Sequence, residues 1–214
     1  LSYRDLRFKV HPTGFKHTGL VPEQAVNWDW MSGIVSARTA RHESTAVLNL
    51  FAYTGGATMA CAKAGATVCH VDAAKGMTQW ARENAQLCKL PETSVRWIVD
   101  DCLKFVRREI KRGNKYDGIV MDPPSYGRGP GGEVWKLEDC AFDLVNEAAQ
   151  LLSDHPAFFL FNGYTTGLQP AVLKNLLDFA VCSRFGGHAE AEEVCLPAQA
   201  GGVLPCGASG RWTP

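Results

Sequence analysis

Net charge is the first thing this sequence lacks. Its 214 residues balance 22 basic against 22 acidic side chains, so composition supplies no bulk attraction to nucleic acid or to an anionic membrane. Any polyanion has to be met by a local patch. Also missing is a C-x-x-C pair, although there are eight cysteines, so zinc-ribbon and dithiol redox chemistry lose their usual spacing. Cys61, Cys69, Cys88, Cys102 and Cys182 fall in apolar helix or strand patterns, which reads as reduced, buried thiols of a cytosolic protein. No apolar run reaches the length of a transmembrane helix, and no signal peptide is expected ahead of the fold. There is no internal repeat and no low-complexity segment. The chain opens on Leu1 and runs straight into R-D-L-R-F-K-V, so an upstream region is expected.

The most informative absence is the triple glycine of a dinucleotide pocket. Ala46 to Phe51 is a short apolar run suited to a parallel strand buried on both faces. It leads into Tyr53-Thr54-Gly55-Gly56, a turn whose two glycines allow close backbone approach or a positive φ. A small-residue helix over 57–64 and a left-handed cap at Gly65 follow. A second strand, 67–71, then ends on Asp72, with Ala73 beside it. An acid at that tip accepts both hydroxyl hydrogens of a ribose. A pyrophosphate, however, needs bare backbone in the pattern G-x-G-x-x-G, and Phe51 and Tyr53 stand where its first two glycines belong. A nucleoside without phosphates tolerates those rings, and S-adenosyl-L-methionine is the common ligand of that kind.

The rest of the chain alternates strand and helix, as a mostly parallel α/β sheet does. Arg4 to Val10 reads as a strand. Pro22 opens a helix over 23–40, in which Trp28 and Trp30 cannot share a face, so one is expected inward and the other toward another surface. Helix 75–88 leads to strand 95–99, which ends on Asp100 and Asp101. There a carboxylate either caps the next helix or accepts from an adenine amino group, with small Cys102 leaving room for the ring. Helix 102–112 carries Lys104, Arg107, Arg108, Lys111 and Arg112, which is either a solvated face or a phosphate-tracking one. Strand 116–121 ends in Asp122-Pro123-Pro124-Ser125-Tyr126-Gly127. The prolines remove two backbone donors, leaving Asp122 and a proline carbonyl as an acceptor-only edge, and Tyr126 offers a ring on which an extruded base could stack. Gly129 to Gly132 reads as a flexible loop anchored by Trp135, either folding over substrate or passive. After helix 137–152, strand 157–161 brings Asn162 and Tyr164 to the edge that carries Asp122. Helix 170–181 and a terminal antiparallel hairpin, near 190–195 and 203–212, complete one α/β domain over 41–214, with residues 1–40 as an N-terminal appendage.

Taken together, L-N-L-F-A-Y-T-G-G and D-P-P-S-Y resemble class I S-adenosylmethionine-dependent methyltransferases, and most of all the branch of large-subunit ribosomal-RNA methyltransferases whose first motif reads Y-T-G-G. H-T-G-L-V-P-E-Q is similar to that branch's pre-motif, K-T-G-x-x-x-D-Q-R. The resemblance covers about residues 15–214 and implies a Rossmann-like, mostly parallel seven-stranded sheet with a C-terminal antiparallel hairpin. It implies S-adenosyl-L-methionine as cofactor and no metal. It places Thr18, Glu23 and Gln24 near the methionine end, with Tyr53, Thr54, Gly55 and Gly56 around it. Asp72 and Ala73 then fall at the ribose, Asp101 and Cys102 at the adenine, and Asp122 to Tyr126 at the acceptor, which is expected to be a base nitrogen of RNA. The alternatives are a cofactor-binding RNA assembly module without transfer activity and a methyltransferase of a protein or small molecule. Two departures stand out: Ala25 replaces the pre-motif arginine, and N-G-Y-T-T carries no cysteine where carbon-5 methyltransferases place their nucleophile.

Overall fold

The computed structural model describes residues 1–12, 18–128 and 134–214. Its frame is a seven-stranded sheet assembled from the short apolar runs. In chain order, β1 (Ser2–Tyr3) and β2 (Leu6–Arg7) precede α1 (Ala25–Ala40), and β3 (Ala46–Leu50), α2 (Gly56–Lys63), β4 (Thr67–Asp72) and α3 (Lys75–Leu87) follow. Then come β5 (Val95–Val99), α4 (Cys102–Arg112), β6 (Gly118–Met121), β7 (Tyr126–Arg128), β8 (Val134–Lys136) and α5 (Leu137–Ala149). The chain closes with β9 (Phe158–Gly163), α6 (Pro170–Leu177), the short α7 (Ser183–Phe185), β10 (His188–Pro197) and β11 (Val203–Thr213). The sheet order is β10-β11-β9-β6-β3-β4-β5. β5, β4, β3, β6 and β9 run parallel, and β11 and β10 add an antiparallel edge.

β3 is the centre because the chain leaves it in one direction through β4 and β5 and returns on its other side through β6 and β9. Leu50 pairs with both Val71 and Met121, so three strands end level with one another and open a crevice at the switch in strand order. Strands buried on both faces lose alternation, and β6 and β9 are buried throughout. One face packs Phe105, Leu144, Val145 and Leu173 from α4, α5 and α6, and the other packs Met31, Val35 and Met59 from α1 and α2.

The parallel core and the terminal hairpin match expectation, whereas the N-terminal stretch does not. A continuous strand over 4–10 is replaced by a hairpin of two-residue strands, because Arg4 takes φ 51° and folds Tyr3 onto Leu6. Trp28 and Trp30 both meet the same side of the sheet: Trp28 lies under Tyr3 and Phe8, and Trp30 stands edge-on to Phe158. The loop expected over 129–132 falls on positions outside the described residues, but its anchor is described: Trp135 lies in β8, paired with β7. Among the described residues no helix is long and apolar enough to cross a membrane. All eight cysteines are free thiols.

Candidate active site

A cleft opens at the carboxyl ends of β3 and β6. It is lined by Leu20, Gln24, Trp28, Asn49, Phe51, Tyr53, Thr54, Gly56, Asp122 and Asn162 among others. Its enclosed part measures about 50 Å³, too little for a whole nucleoside, so a nucleoside would lie mostly on the open shelf beside it.

The turn after β3 gives that shelf its shape. Phe51 and Tyr53 take φ 55° and φ 50°, and Gly55 takes φ 88°. Two bulky residues are thus held in the left-handed region, each at a cost of about 1–2 kcal/mol. Two bonds hold the turn from outside: Asp72 Oδ2 accepts from Tyr53 N at 2.8 Å, and Thr54 Oγ1 donates to the Gly19 carbonyl at 2.7 Å. Through Thr54 the segment before α1 is pinned to the first turn. Asp72 Oδ1 accepts from Ala74 N at 2.8 Å, so each carboxylate oxygen keeps lone-pair capacity for a further donor. Burial raises the Asp72 carboxyl above its ordinary value, opposed by the two backbone donors.

Asp122 follows β6 and carries the most perturbed carboxyl at the cleft. Burial and then the charge of Glu23 push it up to about 7, against a hydrogen bond from Asn162 that holds it down. Glu23 belongs to the 3₁₀ turn Pro22–Gln24, which leads into α1. Behind Asp122 lies a buried polar cluster that the sequence showed only in part. Gln24 Nε2 donates to the Tyr164 hydroxyl at 2.7 Å, and Asn162 Nδ2 donates to Gln24 Oε1 at 3.1 Å. Asn27, Ser209 and Arg211 complete it, and sequence reasoning missed all three. Asn27 was detectable: with Met31 and Val35 it forms the buried face of α1, where an amide needs a reason.

The comparisons with known proteins meet this geometry. The family model described as S-adenosylmethionine-dependent methyltransferase matches residues 2–136. The chain belongs to that family. Among solved structures, an S-adenosylmethionine-dependent methyltransferase from Agrobacterium tumefaciens superposes with a TM-score of 0.92 at 35% identity, over 100% of this chain and 69% of that one. Ribosomal RNA large subunit methyltransferase K/L of Shewanella sp. (strain MR-4) is 30% identical over 148 residues, 68% of this chain and 19% of the relative. Ribosomal RNA large subunit methyltransferase I of Escherichia coli (strain SMS-3-5 / SECEC) is 39% identical over 118 residues, 52% of this chain and 30% of the relative. The chain therefore spans less than a third of the length of either of these curated relatives.

The methyltransferase cofactor, S-adenosyl-L-methionine, fits the residues present. Among the described residues no lysine or arginine lines the cleft, while Asp122 does and Glu23 acts on it. A carboxylate-bearing cleft with apolar walls suits a ligand that carries positive charge on sulfur and nitrogen, and repels a pyrophosphate.

The expected site residues divide between the cleft lining and its surroundings. Gln24, Tyr53, Thr54, Gly56 and Asp122 line the cleft, whereas Thr18, Ala73 and Asp101 are exposed outside its lining. Asp101 Oδ1 caps α4 by accepting from Lys104 N at 2.8 Å, the alternative role read for it. The Cys102 thiol is turned inward beneath the first turn, accepting from Phe51 N at 3.2 Å, and burial raises it far above an ordinary thiol. Cys140 donates to the Lys136 carbonyl at 3.1 Å and is likewise raised, first by burial and then by nearby carboxylates. Neither has the surroundings that generate a reactive thiolate. The acceptor edge is narrower than expected: Trp135 Nε1 donates to the Pro124 carbonyl at 2.8 Å, so that carbonyl is already engaged within the protein. Tyr126 sits on the exposed hairpin, outside the cleft lining. On α4, Arg107 is bidentate to Glu147, Arg108 pairs with Asp100 and Arg112 with Glu109, so most of the basic run is committed within the protein.

Proposed function

We propose that this domain transfers the methyl group of S-adenosyl-L-methionine to a base nitrogen of ribosomal RNA. The observation that carries the proposal is the half-buried Asp122 carboxylate at the end of β6, an acceptor edge in a cleft lined by no cation among the described residues. Such an edge recognises N–H groups and rejects a phosphate or a carboxylate. The cofactor supplies an activated methyl group, so the protein's part is alignment and charge placement. Well-oriented reactants are worth on the order of 7–11 kcal/mol.

In this reading Asp72 takes the ribose hydroxyls with Ala73 beside it, Asp101 and Cys102 border the adenine, and Tyr53 to Gly56 with Gln24, Glu23 and Thr18 surround the amino-acid end. Asp122 and the Pro123 carbonyl hold the hydrogens of the acceptor nitrogen, directing its lone pair at the donor and stabilising the positive charge it gains. Pro124, held by Trp135, keeps that edge rigid, and Tyr126 stacks on the extruded base from the hairpin side. An RNA acceptor is supported by the names of the relatives, both large-subunit ribosomal-RNA methyltransferases. A cytoplasmic location agrees with eight unpaired thiols.

The test is transfer of labelled methyl to ribosomal RNA followed by mass spectrometry of its nucleosides, with Asp122→Ala as control. A methyl on a base nitrogen, lost in that variant while cofactor binding persists, is the expected result. A label on ribose or carbon 5, on protein alone, or retained in Asp122→Ala would reject the proposal. Label bound but never transferred would make the domain a binding module.

A further inference from the structure

Behind Asp122 every hydrogen bond has a direction, and one residue sets it. A guanidinium has donors only. Arg211, on β11, donates Nε to Asn27 Oδ1 at 2.8 Å and pairs Nη1 with Glu192 at 2.7 Å, with its guanidinium over the Trp30 ring. Because the Asn27 oxygen must face Arg211, its amide nitrogen must face the other way. It donates to Gln24 Oε1 at 2.7 Å, to Ser209 Oγ at 2.8 Å and, at 3.3 Å, toward Asn162 Oδ1. Ser209 then has its own proton left for Asn162 Oδ1, at 2.6 Å. With both amide oxygens occupied as acceptors, Asn162 turns its nitrogen to Gln24 and Asp122, and Gln24 turns its nitrogen to Tyr164.

We propose that Arg211 is a positioning residue for methyl transfer, fixing the orientation of Asn27, Gln24 and Asn162 so that the amide facing Asp122 is a donor. The proposal rests on Asp122 being the acceptor-edge carboxylate proposed above. A second observation separates this role from simple packing. Arg211 is 8% exposed, and its Nη2 is buried without a hydrogen-bond partner among the described residues. An unpaired buried donor is destabilising, so stability alone argues against an arginine here. Substituting an amide at 211 frees Asn27 to flip, which lets Asn162 turn its carbonyl toward Asp122 and favours the protonated carboxyl. The other groups that face Asp122 are Glu23 from the 3₁₀ turn and Tyr164 beyond β9. Both are left in place by the substitution.

The experiment compares Arg211→Gln, Arg211→Lys and Asn27→Ala with the parent protein in the pH dependence of transfer. Thermal melting and S-adenosylhomocysteine binding serve as checks on folding. Lysine keeps a donor-only group, glutamine does not, and Asn27→Ala cuts the relay without touching the arginine. Arg211→Gln and Asn27→Ala are expected to move the acidic limb upward by about one pH unit, roughly ten-fold in rate on that limb, and Arg211→Lys to restore it. A limb unmoved in folded Arg211→Gln and Asn27→Ala, or moved as far by lysine as by glutamine, overturns the proposal. The Asp122 carboxyl titration, followed by carbon-13 NMR and assigned with Asp122→Asn, must shift in the same order. It reads the relay without turnover, so absence of transfer in the parent would reject the function while leaving this test standing.

Discussion

Replacing Asp122 by asparagine separates the role proposed for the carboxylate from what it costs the fold. Burial and Glu23 raise its carboxyl from an ordinary 3.8 to about 7. A group whose folded value lies above its unfolded value favours the native state only in its protonated form. Its contribution is complete below about pH 4 and is lost as pH rises through 7. The rise corresponds to at most about 4 kcal/mol. Asparagine keeps the shape and never ionises. Asp122→Asn should therefore match the parent in stability near pH 4 and exceed it at pH 8 by up to that amount, roughly 8–16 °C in melting temperature for a chain of this size. Transfer at pH 8 should fall at least 100-fold, while S-adenosylhomocysteine binding changes little. Melting curves from pH 4 to 9 on the apo protein decide the first part. A difference that is flat across that range, or that shrinks as pH rises, would show that the carboxylate is not held above its ordinary value and would remove the basis for giving it the acceptor edge.

Other perturbations test other parts. Gly55→Ala places a methyl group 2.9 Å from Met59 Cε at φ 88°, and should lower stability by about 2 kcal/mol with weakened cofactor binding, read by melting and calorimetry. Glu109 is buried and accepts from Tyr116, Asn114 and Arg112 at 2.7, 2.9 and 2.9 Å. Burial raises its carboxyl, but these donors outweigh it and leave the value below the ordinary 4.5. Its contribution is thus present above that pH and lost as pH falls below it, so Glu109→Gln should cost about 2–3 kcal/mol at pH 7 and much less at pH 3. An equal loss at both would contradict the pairing. Trp135→Phe releases the Pro124 carbonyl and should reduce transfer to the acceptor about five-fold, equivalent to about 1 kcal/mol, with cofactor affinity unchanged. Unaltered acceptor kinetics would mean that the indole bond does not stiffen this edge.

The sheet was legible because its strands are short apolar runs ending on acids and turns, and Asp72 and Asp122 could be placed from that alone. Local sequence could not show partners chosen across the fold. The α4 run reads as free cations because Glu147, which accepts from Arg107, lies 40 residues away. Pro124 looks like an open carbonyl until β8 brings Trp135 over it. Phe51 and Tyr53 were noticed for their bulk, but at their positive φ each backbone N–H is held from outside, by Asp72 for Tyr53 and by the Cys102 sulfur for Phe51, and no propensity predicts it. Arg211 sits in a strand of small residues, where only its contact with Asn27, 184 positions earlier, reveals a role.

That span also orders events during synthesis. Strands β3, β4 and β6 and the turns after β3 and β4 are all encoded before residue 122, so a nascent chain can form that part of the cleft early. The amides behind Asp122 gain a fixed direction only once β11 has emerged and docked beside β9. Until then a growing polypeptide carries Asp122 without the fixed amide donor that faces it, so the proposed acceptor edge waits on a strand encoded about 90 residues after the carboxylate it serves.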